Sequence, residues 1–521
     1  MNNDNSNLIQ KLWKAASTLR ANSELGYSQY SKPVLGLIFL KYAEYKFFHI
    51  ENFLKKKFSQ KKRKISKDDF LSKKGIYLDE KAKYSYLLQL SENQNIGQKI
   101  DDAMKIIEND NTDLKDILPK SYSAIDNSLL TELLRLFDRI SFKSEIDLFG
   151  RIYEYFLGKF ALEEGRGAGE FYTPESIVKL IVEIIEPYKG RIYDPACGTG
   201  GMFVQSANFI TRHKKGALGQ LSIFGQEKEL STVRLNKINL AVHGLAGDIR
   251  QGISYYDDEH NSINMFDYVM ANPPFNVEGV KKEKIKNDKR YIFGVPKVDN
   301  ANYLWIQIFL SALNKNGRAG FVMANAANDA SHSELQIRKK IINQKVVDVI
   351  VSITNNFFYN VTLPCSLWFF DKKKITTKRK KKILFINARE IFTDVDRAHK
   401  EFSAKQIELI SNIVRVYRNE NIETKYISKK EFSAILLNNK NLDIPGLCKI
   451  VDLDEIEKQD WSLNPGRYIK PKVKKNNKEN IYQELKKLDE ELTKLNKEAS
   501  DLEKINKENY YKLLKITNEK K

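Results

Sequence analysis

From about residue 146 onward, short apolar runs alternate with helical segments, and this alternation narrows the possible folds more than any other feature of the chain. Residues 191–193, 221–224, 266–271, 320–323 and 346–351 read as buried strands, with helical stretches between them, notably 174–185 and 232–243. Strands separated by helices pair in parallel, and the crossover helices cover the faces of the sheet. The expectation is an open, mostly parallel α/β sheet. Two later runs, 366–370 and 383–387, flank a connection in which eight of twelve residues, 371–382, are Lys or Arg. They read as an antiparallel strand pair with an exposed basic connection near phosphates.

The regions on either side of this sheet differ from it. In residues 1–145, Leu8, Ile9, Leu12, Trp13, Ala16 and Leu19 recur at helical spacing with Ser6 as N-cap, and Ser31-Lys32-Pro33 opens a second apolar helix. Residues 55–67 are strongly basic and read as a solvated loop, with DNA contact as the alternative. Near the carboxyl end, Ile481, Leu485, Leu488, Leu492, Leu495, Ala499 and Leu502 follow alternating spacings of four and three. That is a coiled-coil-type helix of about three heptads, suited to packing on the chain's own body or on a partner helix. The expected partition is a helical region at 1–145, a catalytic domain at 146–425 and a docking region at 426–521.

The net charge of +20 favours a polyanionic partner such as nucleic acid. Cys197, Cys365 and Cys448 are too few and too far apart for a disulfide framework or a paired zinc site, which suits a reducing cytoplasm. The polar start, Met1-Asn2-Asn3-Asp4, does not read as a secretion signal, and the apolar run 34–40 is too short to span a bilayer.

The chemistry concentrates at strand ends. Asp194-Pro195-Ala196-Cys197-Gly198-Thr199-Gly200-Gly201 reads as a strand end, a glycine turn and a helix start. Its glycines allow positive φ and close backbone approach to a cofactor. No Gly-Lys-Ser/Thr follows, so it is not a nucleoside-triphosphate loop, nor is it a GxGxxG turn. Glu227 ends the second strand, where a carboxylate can accept hydrogen bonds from both ribose hydroxyls of an adenosine. Gly247-Asp248-Ile249 reads as following another short strand, and Asp248 could bind an adenine amino group of the cofactor or of a target base, although Gly-Asp is also a common turn. Gly169-Glu170-Phe171-Tyr172-Thr173-Pro174 leads into a helix, with Pro174 at its first position.

Asn272-Pro273-Pro274-Phe275 follows the apolar run 266–271. An exocyclic amine on a base is a poor nucleophile because its lone pair is delocalised into the ring. The Asn272 side-chain oxygen and the Pro273 carbonyl can accept its two N–H bonds and free that lone pair for attack on a methyl donor. The prolines stiffen the loop and Phe275 offers a stacking face. The mechanism requires neither a metal nor a covalent nucleophile.

The order of aromatic-Thr-Pro, Asp-Pro-Ala-Cys-Gly-Thr-Gly, Gln-Glu, Gly-Asp and Asn-Pro-Pro-Phe resembles that of the S-adenosylmethionine-dependent DNA adenine-N6 methyltransferases. More narrowly, the chain resembles the modification subunit of type I restriction–modification systems. Asn302-Tyr303-Leu304-Trp305, residues 317–322 and residues 461–468 add to this likeness. The resemblance implies a Rossmann-like methyltransferase fold with a helical amino-terminal domain. It implies S-adenosylmethionine contacts from Gly169 to Pro174, from Gly198 to Gly201 and from Glu227. Asn272 to Phe275 would hold a flipped adenine, with a second ring from Phe357 or Phe358. It further implies DNA, a specificity subunit and a nuclease-translocase subunit as partners, with two modification subunits per specificity subunit. Two alternatives stay open: a self-sufficient adenine methyltransferase, and an enzyme acting on protein glutamine or RNA.

Overall fold

The structure, a computed structural model, describes residues 3–58, 65–73, 75–140, 146–168, 173–213, 220–358, 364–396, 399–436, 441–472 and 478–518. Nine strands form one sheet: β1 (Gly190–Asp194), β2 (Leu221–Glu227), β3 (Gly247–Gln251), β4 (Phe266–Ala271), β5 (Leu313–Ala324), β6 (Val347–Ser352), β7 (Cys365–Asp371), β8 (Lys382–Asn387) and β9 (Cys448–Asp452). Their order is β9-β8-β6-β7-β5-β4-β1-β2-β3. The pairs among β1 to β5 are parallel, as is β6 with β8, whereas β7 runs antiparallel to both β5 and β6. This is the open, mostly parallel sheet of the Rossmann-like methyltransferase type. The strand order reverses at β1, with β2 on one side and β4 on the other, so a crevice opens at the carboxyl ends there.

The two late strands do not pair with each other as expected. β6, buried along its whole length, lies between them, antiparallel to β7 and parallel to β8. A strand of six apolar or neutralised residues gains most by hydrogen-bonding on both edges. The basic connection is likewise not simply an exposed run. Lys374 is buried and donates to the Val347 carbonyl, and burial draws its ammonium down to about 8, against the pull of Asp348. Arg379 pairs with Asp348 and, at 3.2 Å, with Asp371, while Arg418 Nε lies 2.9 Å from Asp348. These cations neutralise carboxylates beneath the sheet. β7 runs antiparallel to β5 and ends at Asp371, and the next residue, Lys372, donates to the carbonyl of Leu313, the first residue of β5, so this connection leaves the sheet at the end opposite the crevice.

The amino-terminal region is helical, with α1 (Asn3–Ala21), α2 (Tyr27–Phe58), α3 (Ile96–Asp110), α4 (Asn127–Asp138) and α5 (Ile146–Ala168) among its helices. Ser6 falls inside α1, and Pro33 lies in the second turn of α2 and does not start it. A proline there forfeits one hydrogen bond, to residue 29; the Pro33 carbonyl accepts from the Tyr122 hydroxyl at 2.9 Å. Lys55, Lys56 and Lys57 form the last turn of α2, where cations complement the helix dipole, and residues 59–64 lie outside the described ones. The core of this region runs from Leu37 through Tyr153 and Phe156 to Ile238 and Val242, which belong to a helix of the sheet (Leu230–Val242). The helical region and the sheet therefore share packing, within one compact unit that spans residues 1–470.

Residues 471–521 form a second unit. Its helix, Lys478–Asn518, is 41 residues long, longer than the three heptads expected. Along it Leu485, Leu488, Leu492, Leu495 and Leu502 are each 55–60 % exposed. Among the described residues no helix is long and apolar enough to cross a membrane.

Candidate active site

A cavity of about 630 Å3 opens at the carboxyl ends of β1, β2 and β4, where the strand order reverses. The glycine turn after β1 forms its floor. Gly198 has φ +48° and Gly200 φ +86°. A Cβ on Gly198 or Gly201 would project into open space, whereas one on Gly200 would lie 2.9 Å from Asn236 Oδ1. The first two leave room for a ligand close to the backbone; the third lets the turn pack on its neighbouring helix.

Side chains on either side hold the turn. Glu227 Oε2 accepts from the Gly198 N–H at 3.0 Å, Asn236 Nδ2 donates to the Gly198 carbonyl at 2.8 Å, and Asn239 Nδ2 donates to the Thr199 carbonyl at 2.8 Å. The Cys197 N–H donates to the Gln226 carbonyl at 3.1 Å, tying the turn to β2. Asp194 ends β1 and accepts from the Ala196 N–H at 2.9 Å. Burial pushes its carboxyl well above the usual range, opposed by that N–H and reinforced by the charge of Glu227. A cation brought into the cavity would relieve both carboxylates. Burial also raises the Cys197 thiol, which disfavours its thiolate form.

The loop after β4 forms the opposite wall. Asn272 Nδ2 donates to Thr173 Oγ1 at 2.9 Å, which fixes the amide plane. Its Oδ1 is buried and, among the described residues, has no hydrogen-bond partner. An orphaned acceptor of this kind is costly unless a ligand completes it. Beyond the two prolines, the Asn276 N–H donates to Asn302 Oδ1 (3.0 Å), and Asn302 Nδ2 donates back to Asn276 Oδ1 (2.9 Å). This reciprocal amide pair anchors the far end of the loop. Phe275 meets Phe358 edge-on, with centroids 6.3 Å apart, whereas Phe357 packs on Phe402 at 4.5 Å. Of the two candidate second rings, Phe358 is the one beside Phe275.

Of the residues expected at the site, Thr173, Asp194, Gly198, Thr199, Gly201, Glu227, Asn272, Pro273 and Pro274 line one cavity. Gly169, Glu170, Phe171 and Tyr172 lie outside the described residues. Pro174 is the N-cap of the helix Glu175–Ile185, one position earlier than expected. Gly200 packs against Asn236 behind the turn. Asp248 is not on a turn and does not line the cavity. It is the second residue of β3, opposite Phe224, and its carboxylate is held by Arg250 at 2.7 and 3.0 Å.

The sequence reading missed several contributors. Asn236 and Asn239 lie three residues apart on one buried helix face. That pairing of amides amid apolar residues was the available signal. Leu35 of α2 and Leu157 and Phe160 of α5 close the cavity from the helical side, and Tyr255, Tyr256 and Trp305 close it near Pro274. Only tertiary packing brings these together.

A doubly wound sheet with a glycine-turn crevice and an orphaned amide acceptor beside it defines a methyltransferase built to act on an amino nitrogen. Residues 144–479 match the N-6 DNA Methylase family and residues 8–137 match the HsdM N-terminal domain. The chain is 37% identical to the type I restriction enzyme MjaIX methylase subunit of Methanocaldococcus jannaschii, over 94% of this chain and 90% of that one. It is 35% identical to the HindI methylase subunit of Haemophilus influenzae, over 72% of this chain and 83% of that one. The crystal structure of a type I restriction-modification system methyltransferase subunit from Streptococcus thermophilus has the same fold. It superposes with a TM-score of 0.71 at 20% identity, covering 89% of this chain and 99% of that one. The chain belongs to the N-6 DNA methylase family, among the methylase subunits of type I restriction enzymes.

Proposed function

We propose that this chain transfers a methyl group from S-adenosylmethionine to N6 of adenine in DNA, as the modification subunit of a type I restriction–modification complex. The observation that carries the reading is the buried Oδ1 of Asn272, unpartnered among the described residues, beside a glycine-floored cavity. The residues fit the cofactor: open space at Gly198 and Gly201 admits its backbone-hugging portion, and two carboxylates face a cationic ligand. S-adenosylmethionine, when bound, supplies an electrophilic methyl group.

The protein's own contribution is placement and polarity. Glu227, at the tip of β2, is the acceptor for the ribose hydroxyls. Asp194 offsets positive charge on the cofactor. Thr173, held to Asn272, closes the space between cofactor and base. Asn272 Oδ1 and the Pro273 carbonyl would accept the two N6 hydrogens, which concentrates the lone pair on nitrogen and stabilises the positive charge it acquires with the new N–C bond, until one N6 proton is lost to solvent and the neutral methylamine remains. Phe275 and Phe358, which meet just past the lining residue Pro274 and do not themselves line the cavity, are the rings we assign to stacking on the unstacked base. Asp248 would serve only through a change in its pairing with Arg250.

The terminal helix Lys478–Asn518 is the element we assign to docking on helices of the specificity subunit, which chooses the DNA sequence; a nuclease-translocase subunit completes the complex, with two modification subunits per specificity subunit. We assign 1–145, 146–425 and 426–521 to the helical, catalytic and docking regions, with β9 (Cys448–Asp452) of the last also completing the sheet, and the cytoplasm as the site of action. Purified chain, with and without its specificity subunit, incubated with labelled S-adenosylmethionine and DNA tests this. Site-specific adenine label is expected only with the partner. Equal labelling without it would show a self-sufficient enzyme, and label on protein or RNA alone would overturn the DNA assignment.

A further inference from the structure

The insertion between the loop after β4 and the helix Asn302–Ala312 carries lysines that the reading above does not use. Lys281, Lys284, Lys286 and Lys289 are all exposed. Lys282 is different: its ammonium donates to the carbonyls of Lys297 (2.9 Å) and Val298 (2.8 Å), bracing the insertion from within.

The insertion is tied firmly to the cavity wall. Arg290 is only 1 % exposed; it pairs with Asp288 at 2.6 Å and donates to the carbonyls of Ser254 (2.9 Å) and Asp257 (3.1 Å). The Tyr291 hydroxyl donates to the Tyr255 carbonyl at 2.7 Å, and the Lys281 N–H donates to the Tyr256 hydroxyl at 2.9 Å. The Lys284 ammonium lies 5.7 Å from the centre of the Tyr256 ring. Tyr255 and Tyr256 line the cavity, as do Val277 and Val280 at the root of the insertion. Lys281 and Lys284 are thus held beside the cavity-lining Tyr256, with Lys286 and Lys289 following on the same insertion; the four outnumber its exposed carboxylates, Glu278, Glu283 and Asp299, the last of which accepts from the Gly279 N–H.

An enzyme that withdraws a base from a duplex must restrain the backbone next to it while unstacking costs a few kcal/mol. Contacts to phosphates provide that restraint without reading sequence. We propose that Lys281, Lys284, Lys286 and Lys289 form a rim that grips the DNA backbone beside the base presented to Asn272. This rests on DNA being the substrate, as proposed above. The rim and the basic connection 371–382 differ in kind: the connection lies at the opposite end of the sheet, and its buried cations face carboxylates.

That opposite end supplies a matched control. Lys373, Lys378, Lys380 and Lys381 are also exposed, so replacing them removes the same charge far from the cavity mouth. Each set of four is changed to Gln in the assembled complex with the specificity subunit. Affinity for DNA bearing the recognition sequence is then measured across a salt series, with cofactor affinity and the methylated sequence as further readouts. The rim variant is expected to bind more weakly at low salt. Its slope of log affinity against log salt should be shallower by about 0.9 for each lysine that touches a phosphate. Cofactor affinity and the methylated sequence stay as in the wild type, and the control variant keeps the wild-type slope. A rim variant with an unchanged slope, or equal changes in both variants, overturns the proposal. A wild-type complex that binds no DNA overturns both this proposal and the functional reading beneath it.

Discussion

The hydrogen bond from Asn272 to Thr173 can be separated from the chemistry it is placed to support. In Thr173→Val the side chain keeps its shape and loses only Oγ1, the acceptor for Asn272 Nδ2 at 2.9 Å. The amide is then free to turn and can present N–H where an acceptor is needed. A hydrogen bond of this kind contributes about 0.5–1.5 kcal/mol net, so methyl transfer should slow roughly two- to thirteenfold. Asn272→Ala removes the acceptor itself, whose Oδ1 is already shielded from water. Loss of one preorganised transition-state partner costs about 2.7–4 kcal/mol, or roughly 100- to 1,000-fold. If Thr173 acts only by holding Asn272, the double variant should be no slower than Asn272→Ala alone, giving a coupling energy about equal to the Thr173→Val effect. The assay is single-turnover methyl transfer to DNA by the assembled complex, with cofactor affinity measured separately and expected to change little in Asn272→Ala. Strictly additive losses would falsify the positioning argument, and a near-normal rate for Asn272→Ala would remove that residue from the mechanism.

Gly200→Ala places a Cβ at φ +86° and 2.9 Å from Asn236 Oδ1; the backbone alone costs about 1–2 kcal/mol, so both the melting temperature and cofactor affinity should fall. His213 and Glu423 are 2.7 Å apart. Burial opposes the His213 charge, but the Glu423 hydrogen bond, the Phe209 carbonyl and the charges of Glu423 and Glu183 together outweigh it and the histidine pKa is raised; the same Glu423 bond is the main cause that lowers Glu423. The histidine contribution is complete below its ordinary 6.5 and fades as pH rises through its raised value, while the glutamate contribution is complete above its ordinary 4.5 and fades as pH falls through its lowered one. The melting-temperature deficit of His213→Gln should therefore be greatest between those two ordinary values and shrink in alkaline buffer; a deficit independent of pH would show that packing alone is involved. Leu492→Asp, on the exposed leucine face of the terminal helix, should weaken co-purification with the specificity subunit and leave cofactor affinity intact. Since burying one leucine contributes about 1.5–3 kcal/mol, at least a tenfold loss in complex affinity is expected.

The parts of this protein that were legible in its sequence are those fixed by local pattern. β4 spans residues 266–271, as its apolar run indicates, and the Asp-Pro-Ala-Cys-Gly-Thr-Gly and Asn-Pro-Pro-Phe segments fall at strand ends because only there can a turn face a crevice. What depended on tertiary choice was harder to read. Nothing local in 366–370 or 383–387 says that β6 will insert between them; that follows from burying β6 on both edges. Charge counts told only part of 371–382: most of its lysines are exposed as expected, but Lys374 and Arg379 turn inward to Asp348, and sequence cannot distinguish those two from the rest. Asp248 reads as lying just past a strand end, where it could face the crevice, yet β3 begins at Gly247 and runs through it to Gln251. Asn236 and Asn239 went unnoticed because their partners are backbone carbonyls of a turn nearly forty residues earlier.

Leu35, Leu157 and Phe160 bear on how far this protein can be treated as interchangeable modules. These side chains come from helices that precede the sheet, yet they wall the pocket beside Thr173. A fragment beginning near residue 146 would lose Leu35 and bare Phe149, Ile152, Tyr153 and Phe156, all of them buried in the whole chain. Such a fragment would present an apolar flank to solvent and a breached pocket to the cofactor, so it should aggregate before it could be assayed. Chimeras that exchange the helical segment between related enzymes would carry part of the pocket with it. Their substrate and cofactor affinities should follow the donor of the helices as well as the donor of the sheet.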